Sequence, residues 1–236
     1  MVTEPRSHPD HLAGQAQIDQ GQLDQGQPGR GRPDAGDRPR KRRGRPRAFD
    51  REVALDQAMR VFWELGFEVT SIADLTSAMG INPPSLYATF GDKQALFQEA
   101  VQRFQDTQGA MLFRALGEES TARRSIARLL LDVAAGYTNP ANPPGCMVIS
   151  AATSIGPGHV HLQRSLRAIR LDMRANIEQR LAAGVTSGEL PPDTDVSALA
   201  LFFAATIEGM STQARDGATQ AELEVIAARA LRAWND

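Results

Sequence analysis

The sequence predicts an all-α protein, in which a three-helix segment comes before a larger helical domain. Apolar residues recur at helical spacing from residue 49 onward, and no segment shows the alternation of a half-buried strand. Pro83 and Pro84 stand inside this pattern, directly after Asn82. A helix start tolerates proline, because the N–H that proline lacks has no partner there. A short helix therefore begins at Pro83 and ends near Phe90.

Two further helices are predicted before this short one. The first lies between Asp50, a good amino-terminal cap, and Gly66, which ends it. The second begins after Thr70 or Ser71 and ends at Gly80, which suits a tight turn. A helix, a tight turn and a short second helix have the spacing of a helix-turn-helix.

The remainder of the chain is predicted to form longer helices with apolar stripes. They cover residues 93–116, 121–137, 146–154, 158–183, 196–215 and a last helix from about 223. The 196–215 helix is apolar nearly all round, so both of its sides need cover. A homodimer through the last two helices would cover one side, and burial within a single chain is the alternative.

The composition fits a globular protein. Its 236 residues are 42% hydrophobic, which is enough for a sizeable core. The longest nearly apolar run, residues 198–207, is shorter than the ~20 residues of a membrane helix, and the amino terminus lacks a signal peptide's apolar stretch. The single cysteine, Cys146, excludes an intramolecular disulfide. We therefore expect a soluble, cytoplasmic protein without metal or cofactor.

Positive charge is concentrated in one tract. Residues 38–47, RPRKRRGRPR, carry seven Lys/Arg and no acid, whereas the other 226 residues hold 19 basic and 28 acidic side chains. Such a tract on an otherwise acidic chain indicates a polyanionic partner, and a solvated basic linker is the alternative. Residues 1–37 are rich in Gly, Gln, Asp and Pro and contain no aromatic residue, so we expect a disordered tail.

Residues 66–97 resemble the DNA-binding domain of the TetR family (TetR/AcrR type) of bacterial transcriptional regulators. The matching residues are Gly66, Phe67, Thr70, Ser71, Ile72, Gly80, Ile81, Leu86, Tyr87, Phe90, Lys93 and Leu96. The sequence departs from the family pattern at Thr76, Pro83, Pro84, Ala88 and Thr89. The resemblance implies a helix-turn-helix DNA-binding domain at 48–95 and a helical ligand-binding and dimerisation domain at 96–236.

The resemblance also implies roles for individual residues. The short helix would enter the major groove with Asn82, Pro83, Pro84, Ser85, Tyr87, Ala88 and Thr89. Thr70 or Ser71, at a helix start, would hold phosphates together with Tyr87 and Lys93. Asn82, Ser85 and Ala88 would read bases, because their short side chains reach base edges when the helix lies close.

The basic tract contains an AT-hook-like motif, RRGRPR. Its glycine and proline keep the backbone extended and narrow, so that Arg43 and Arg45 fit an A·T minor groove. The tract comes just before the first helix, as minor-groove arms do in other helix-turn-helix proteins. We expect DNA contacts from Arg43, Arg45 and Arg47.

Other classes of function were weighed against DNA binding. Cys146, His159 and His161 lack an ordered third member of a catalytic group, so we expect no enzyme. One alternative is a metal- or thiol-responsive regulator, because Cys146 opens a helix whose amino terminus would lower the pKa of the thiol. Another is a constitutive or architectural DNA-binding protein without an effector.

The sequence as a whole predicts a one-component transcriptional regulator that acts as a repressor. A homodimer would bind a palindromic operator in double-stranded DNA and release it when a small-molecule effector enters the second domain. The candidate effector-pocket residues, each equally consistent with plain core, are Phe104, Met111, Tyr137, Cys146, Met147, Phe203 and Met210.

Overall fold

The computed structural model describes residues 49–235, apart from the side chains of Met111, Leu112 and Asn235. The described residues form α-helices and no strand, as predicted. The helices are α1 (Arg51–Leu65), α2 (Ile72–Met79), α3 (Pro83–Phe90), α4 (Lys93–Phe104), α5 (Ala110–Phe113), α6 (Ala115–Glu118), α7 (Ala122–Tyr137), α8 (Met147–Ser154), α9 (Val160–Thr186), α10 (Val196–Arg215) and α11 (Gln220–Ala230). None of these helices is long and apolar enough to cross a membrane.

The predicted start and end signals of the first three helices are present. Asp50 caps α1 by accepting hydrogen bonds from two backbone N–H groups of its first turn. Ser71 caps α2, and Gly80 ends it in the left-handed conformation at φ +66°, which glycine adopts at little cost. The Asn82 side chain caps α3 by accepting from the Ser85 N–H. The turn between α2 and α3 is therefore built from local interactions.

An apolar core holds the first four helices together. Leu75 of α2, Leu86 of α3 and Leu96 of α4 are fully buried in it. Phe62 of α1 meets Phe97 of α4 edge to face, with ring centroids 5.1 Å apart. An isolated helix as short as α3 is unstable in water, so this tertiary packing keeps it folded.

The helix predicted over residues 93–116 is interrupted. A π-helical segment, Gln105–Gly109, follows α4, and Arg114 separates α5 from α6. Glycine disfavours a helix interior, and π-helical turns are common at functional sites. The described residues, 49–235, belong to one compact unit. The domain boundary predicted between 95 and 96 falls inside α4, and it stays a prediction.

The carboxy-terminal helices form a bundle around α7, α9, α10 and α11. The ends of the predicted apolar stripe on α9 are buried, whereas Ile169 and Met173 at its centre are only half-buried. Both residues line a cavity that is partly open to solvent. The centre of this stripe thus faces open space instead of packing fully against other helices.

Candidate DNA interface and ligand cavity

The short helix α3 has one anchored face and one exposed face. Leu86 and Phe90 are buried, whereas Asn82, Ala88 and the half-exposed Tyr87 lie at the surface. Pro83 and Pro84 are exposed at the start of the same helix. The residues predicted to enter the major groove therefore share an accessible surface, except that Ser85 and Thr89 are only partly exposed.

The first turn of α3 offers few hydrogen-bond donors. Pro83 and Pro84 have no backbone N–H, and the N–H of Ser85 donates to the Asn82 side-chain oxygen at 2.9 Å. Asn82 keeps its amide NH₂ group as a donor. Contacts from this turn consequently depend on the Asn82 amide and on the apolar surfaces of the prolines and Ala88.

The structure corrects the assignment of Thr70 to phosphate binding. Thr70 is 1% exposed, and its hydroxyl donates to the Gly66 carbonyl at 2.6 Å. A buried hydroxyl with an internal partner holds the turn after α1 and is not available to DNA. The helix-start position belongs to Ser71, which is exposed and caps α2.

Ser71 shares its helix start with an acidic side chain. Its hydroxyl donates to Asp74 Oδ2 at 2.6 Å, and its backbone N–H donates to the same oxygen at 2.9 Å. These hydrogen bonds, the side-chain one first, lower the pKa of Asp74. A phosphate at this helix start would have to displace a carboxylate, so Ser71 is a weaker anion site than the sequence suggested.

Lys93 is turned toward its own protein. Its Nζ lies 3.3 Å from the Glu68 carbonyl oxygen and 4.6 Å from the centroid of the Phe67 ring. Partial burial lowers its pKa, although nearby Glu68 acts in the opposite direction. Contact with a phosphate would require Lys93 to leave these partners, and this contact stays a prediction.

The folded helix-turn-helix region is acidic. Residues 49–95 contain three basic side chains, Arg51, Arg60 and Lys93, and seven acidic ones. The predicted contacts of Arg43, Arg45 and Arg47, like the predicted disordered tail, lie outside the described residues. Beside the predicted DNA-binding helices, positive charge is therefore concentrated in the tract and not in residues 49–95.

His159 joins the helix-turn-helix region to the bundle, a role that its sequence context did not indicate. Its Nδ1 lies 3.1 Å from the Gln94 amide nitrogen, and its ring meets Phe67 edge to face at 4.9 Å. Glu68 completes the contact by accepting from the Gly156 N–H at 2.9 Å. Contacts from α4 and from the turn after α1 leave His159 only partly exposed. His161, by contrast, is exposed.

A second junction lies at the end of α1. Arg215, in the last turn of α10, donates to the carbonyl oxygens of Trp63 and Glu64 at 3.2 and 3.4 Å. These carbonyls belong to the last turn of α1, where helical partners run out. Arg215 therefore caps the end of α1 from within the bundle.

The bundle contains a cavity of about 240 Å³ beside the π-helical segment, and the cavity is partly open to solvent at the exposed residues Ala110, Asp172 and Asn176. Of the predicted pocket residues, Phe104, Tyr137 and Cys146 line it. Met147, Phe203 and Met210 are instead 0 to 1% exposed in the core, so their assignment to the pocket is corrected. The Met111 side chain is among those not described.

Several lining residues were missed from the sequence. These include Phe113, Ile149, Ile169, Arg170, Asp172 and Met173. The helical spacing of apolar residues predicted that some of them lie on an apolar helix face. This spacing does not distinguish a face that packs against another helix from one that borders a cavity. Arg170 and Asp172 carried no sequence signal at all.

Cys146 is buried at the inner side of this cavity. Burial raises the pKa of its thiol, although the N–H groups of Ile149 and Val148 act in the opposite direction. The backbone N–H of Cys146 donates to the Ser211 hydroxyl at 2.9 Å. The expected lowering of the thiol pKa by the helix amino terminus is therefore wrong, because loss of hydration outweighs the helix. Among residues 49–235, no group of three or more His, Cys, Asp or Glu is placed to hold a metal ion.

Two family sequence models match the chain. Residues 54–100 match the bacterial regulatory proteins of the tetR family, and residues 122–229 match the tetracyclin repressor-like C-terminal domain. The first match covers most of α1 to α4, and the second extends from α7 to α11.

Curated relatives and solved structures agree with these matches. The HTH-type transcriptional repressor ComR of Escherichia coli K12 is 37% identical over 199 residues, which are 83% of this chain and 93% of ComR. The HTH-type transcriptional repressor BdcR of the same organism is 29% identical over 79% of this chain and 90% of BdcR. A cysteine mutant of the TetR family regulator CifR, solved with 26-base-pair operator DNA, is 41% identical with a TM-score of 0.78. The likeness covers 81% of this chain and 100% of that one.

Proposed function

The chain belongs to the TetR family of bacterial regulatory proteins, and we propose that it is a transcriptional repressor released from a palindromic DNA operator by a small molecule. The exposed face of α3 carries this proposal. Leu86 and Phe90 anchor the helix while Tyr87 and Ala88 remain at the surface. CifR, similar along 81% of this chain, has been solved with operator DNA.

We propose a homodimer formed through α10 and α11. Leu201, Phe202 and Val225 are 53, 42 and 61% exposed, although each is a large apolar side chain. The small residues Ala205 and Gly209 continue the exposed face of α10 at helical spacing. The small residues allow a second copy to approach closely, and its contact would bury the exposed apolar side chains of this face. Dimerisation would place two α3 helices about 34 Å apart, one turn of DNA.

The proposed release mechanism starts at the cavity and acts through α4. Gln105 and Gly109 of the π-helical segment line the cavity, so a bound ligand would contact the end of α4. Arg103 on α4 forms a bidentate ion pair with Asp56 on α1, at 2.7 and 3.1 Å. A shift of α4 would therefore carry α1 with it. Ligand affinity must differ between the two conformations, because that difference limits how far the equilibrium moves.

We propose that the basic tract supplies a DNA-contacting arm. Residues 49–95 carry three basic and seven acidic side chains, so they repel the phosphate backbone at long range. The seven cations of residues 38–47 would offset this repulsion. Arg43, Arg45 and Arg47 would contact DNA, with Arg43 and Arg45 in the minor groove. We also propose that the protein acts in the cytoplasm, where its DNA target would lie.

The proposal is tested by selecting bound fragments from a random DNA library with the full chain. A repressor of this kind recovers a palindrome and binds it at least a thousandfold tighter than random DNA, within the usual range for specific binding. Equal affinity for selected and random DNA would instead identify an architectural DNA-binding protein. A reporter placed behind the recovered site then distinguishes repression from activation.

The dimer is tested separately by light scattering. Phe202→Glu places a charge on the proposed interface and is expected to give monomers that bind the palindrome weakly. Leu131→Glu is the matched control, because Leu131 is 47% exposed on α7 and lies outside the proposed interface. A Phe202→Glu protein that stays dimeric would place the interface elsewhere.

A further inference from the structure

Two side chains that can carry positive charge, Lys93 and His159, meet where the turn after α1 contacts the starts of α4 and α9. Both contact the same ring: Lys93 Nζ lies 4.6 Å from the centroid of Phe67, and the His159 ring centroid lies 4.9 Å from it. Resting on the proposed function, we infer that His159 is a positioning residue for the phosphate contact of Lys93, and that protonation of His159 strengthens DNA binding.

Neutral His159 is held in this junction by a hydrogen bond. Its Nδ1 lies 3.1 Å from the Gln94 amide nitrogen, which donates when Nδ1 carries no proton. Its Nε2 lies 3.8 Å from Glu68 Oε1, too far for a hydrogen bond. The same Glu68 oxygen accepts from the Gly156 N–H at 2.9 Å. A neutral His159 therefore leaves the Glu68 carboxylate to attract Lys93.

Contact with a phosphate costs Lys93 its interactions within the protein. Its Nζ lies 3.3 Å from the Glu68 carbonyl oxygen. Partial burial lowers the pKa of Lys93, and the Glu68 carboxylate acts in the opposite direction by attracting the ammonium group. A phosphate that draws Lys93 away leaves Glu68 and the Phe67 ring without this cation. The free energy of that loss reduces the affinity for DNA.

Protonation of His159 reduces this cost in two ways. Both ring nitrogens then carry a proton, so the imidazolium offers Glu68 a positive charge at 3.8 Å that replaces the ammonium group. The imidazolium also repels Lys93, because their shared contact with Phe67 places the two groups within about 10 Å of each other. Gln94 keeps its hydrogen bond by turning its amide oxygen toward Nδ1–H. Protonated His159 thus favours the conformation in which Lys93 is free to contact a phosphate.

Other charges around His159 lie on the bundle. His159 directly precedes α9, whose amino terminus disfavours a positive charge. The next ionisable side chains on α9 are His161 and Arg164, and both are exposed. These groups act on His159 whether Lys93 contacts the protein or DNA, so they do not change the sign of the coupling. Binding of a proton to His159 and binding of DNA therefore strengthen each other.

The test measures the affinity of the full chain for DNA at about pH 6 and about pH 8, because histidine side chains change charge in this range. Two probes are used: the palindrome selected from the random library, and a random-sequence duplex of the same length. A phosphate contact carries no base information, so both probes should show the same effect. We expect tighter binding at the lower pH, with His159 contributing about threefold to the affinity ratio, as a partly exposed charge pair allows.

His159→Gln removes the titrating group and keeps an amide for hydrogen bonding. The ratio of its affinities at the two pH values should be about threefold smaller than that of the wild type. In a Lys93→Ala background, His159→Gln should have no further effect on the ratio, because the coupled partner is absent.

Two further variants control this result. His161→Gln is matched to His159→Gln, because His161 is an exposed histidine on the following helix. Salt screens an exposed charge, so this change should leave the ratio within about 1.5-fold of the wild type. Glu68→Gln keeps an acceptor for the Gly156 N–H but removes the carboxylate, so it should also reduce the ratio. It provides a second test of the junction if His159→Gln does not fold.

Three results would overturn the inference. An unchanged ratio in His159→Gln, even with weaker binding at both pH values, would give His159 a structural role alone. An equal loss in His161→Gln would assign the effect to long-range attraction, and a His159 effect that persists in Lys93→Ala would separate it from Lys93. Failure to recover a palindrome would refute the proposed repressor, and the random-sequence duplex would still decide the role of His159.

Discussion

The two regions that we propose contact DNA have opposite charge. Residues 38–47 carry seven basic side chains and no acid, whereas residues 49–95 carry three basic and seven acidic ones. Affinity for DNA in general comes from neutralised phosphates, while specificity comes from contacts to bases. We therefore propose that the tract provides attraction to DNA in general, whereas α3 selects the sequence. We expect residues 49–95 to bind DNA weakly without the tract, because their net negative charge repels phosphates.

Deleting residues 1–47 is the strongest test of this division. Operator affinity should fall by at least about a hundredfold at 50 mM salt, because several phosphate contacts are lost together. The loss should shrink at 200 mM salt, with the salt slope reduced by about 0.9 for each contact removed. The truncated protein should still prefer the palindrome over random DNA. If it loses that preference, the tract also selects sequence.

The next largest effect is expected from Tyr87→Phe, which tests the specific region alone. Tyr87 is half exposed on α3, so removal of its hydroxyl should weaken operator binding by about five- to tenfold, the value of one hydrogen bond. Thermal unfolding should be nearly unchanged. Lys93→Ala makes an instructive contrast, because loss of its contact with Phe67 should also lower the melting temperature. Unchanged affinity in Tyr87→Phe would remove Tyr87 from the interface.

Replacing Arg43 and Arg45 by lysine tests whether the tract acts through its charge alone, because the side chains keep their positive charge and lose the guanidinium shape. Lysine preserves phosphate attraction but lacks the planar, weakly hydrated group that suits a narrow minor groove. We expect the salt slope to persist, while the preference for A·T-rich over G·C-rich flanks falls by a few-fold. Titrations of each protein with operators that carry A·T-rich or G·C-rich flanks measure this preference and the salt slope. A preference that survives the change would show that charge alone accounts for the arm.

The smallest effect concerns the acidic region itself. Asp74→Asn should strengthen operator binding slightly, since it removes a carboxylate from the start of α2, which we propose lies near the phosphates. It should also lower stability slightly, because it weakens the capping box of α2. Glu222→Gln is the control: it alters the equivalent capping box of α11, and it should affect stability without affecting DNA affinity.

The pH dependence of these two boxes has a defined sign. Hydrogen bonds with Ser71 lower the pKa of Asp74, and those with Thr219 lower the pKa of Glu222. Each folded-state pKa lies below the unfolded value, so the stabilisation is present above the unfolded pKa and is lost as pH falls through the folded one. Melting temperatures of the wild type and the two variants should therefore converge in acid. A difference that persists there would assign the effect to something other than the carboxylate.

The helix boundaries around the DNA-binding surface were predictable from sequence because their causes are local. Asp50, Ser71 and Asn82 accept hydrogen bonds from N–H groups two or three residues ahead, and Gly80 ends α2 by its own backbone conformation. Such interactions depend on four or five neighbouring residues, which the sequence displays directly. The resemblance carried by residues 66–97 extended this local reading to the family.

The burial, the pKa and the contacts of individual side chains depended on residues far away in sequence. Thr70 is buried, burial raises the pKa of the Cys146 thiol, and His159 contacts Phe67 and Gln94. Each outcome depends on which distant helix lies beside the residue, and a periodic pattern does not contain that information.

The sequence by itself determined the helical fold, the start of α3 at the two prolines and the separation of basic tract from acidic domain. Only the tertiary structure decided that Arg170 borders a cavity and that Met147, Phe203 and Met210 belong to the core. The physical reason is the distance along the chain between the interacting residues. Caps, turns and net charge arise from neighbours along the chain, whereas burial and cavities arise where α4, α7, α8 and α9 meet.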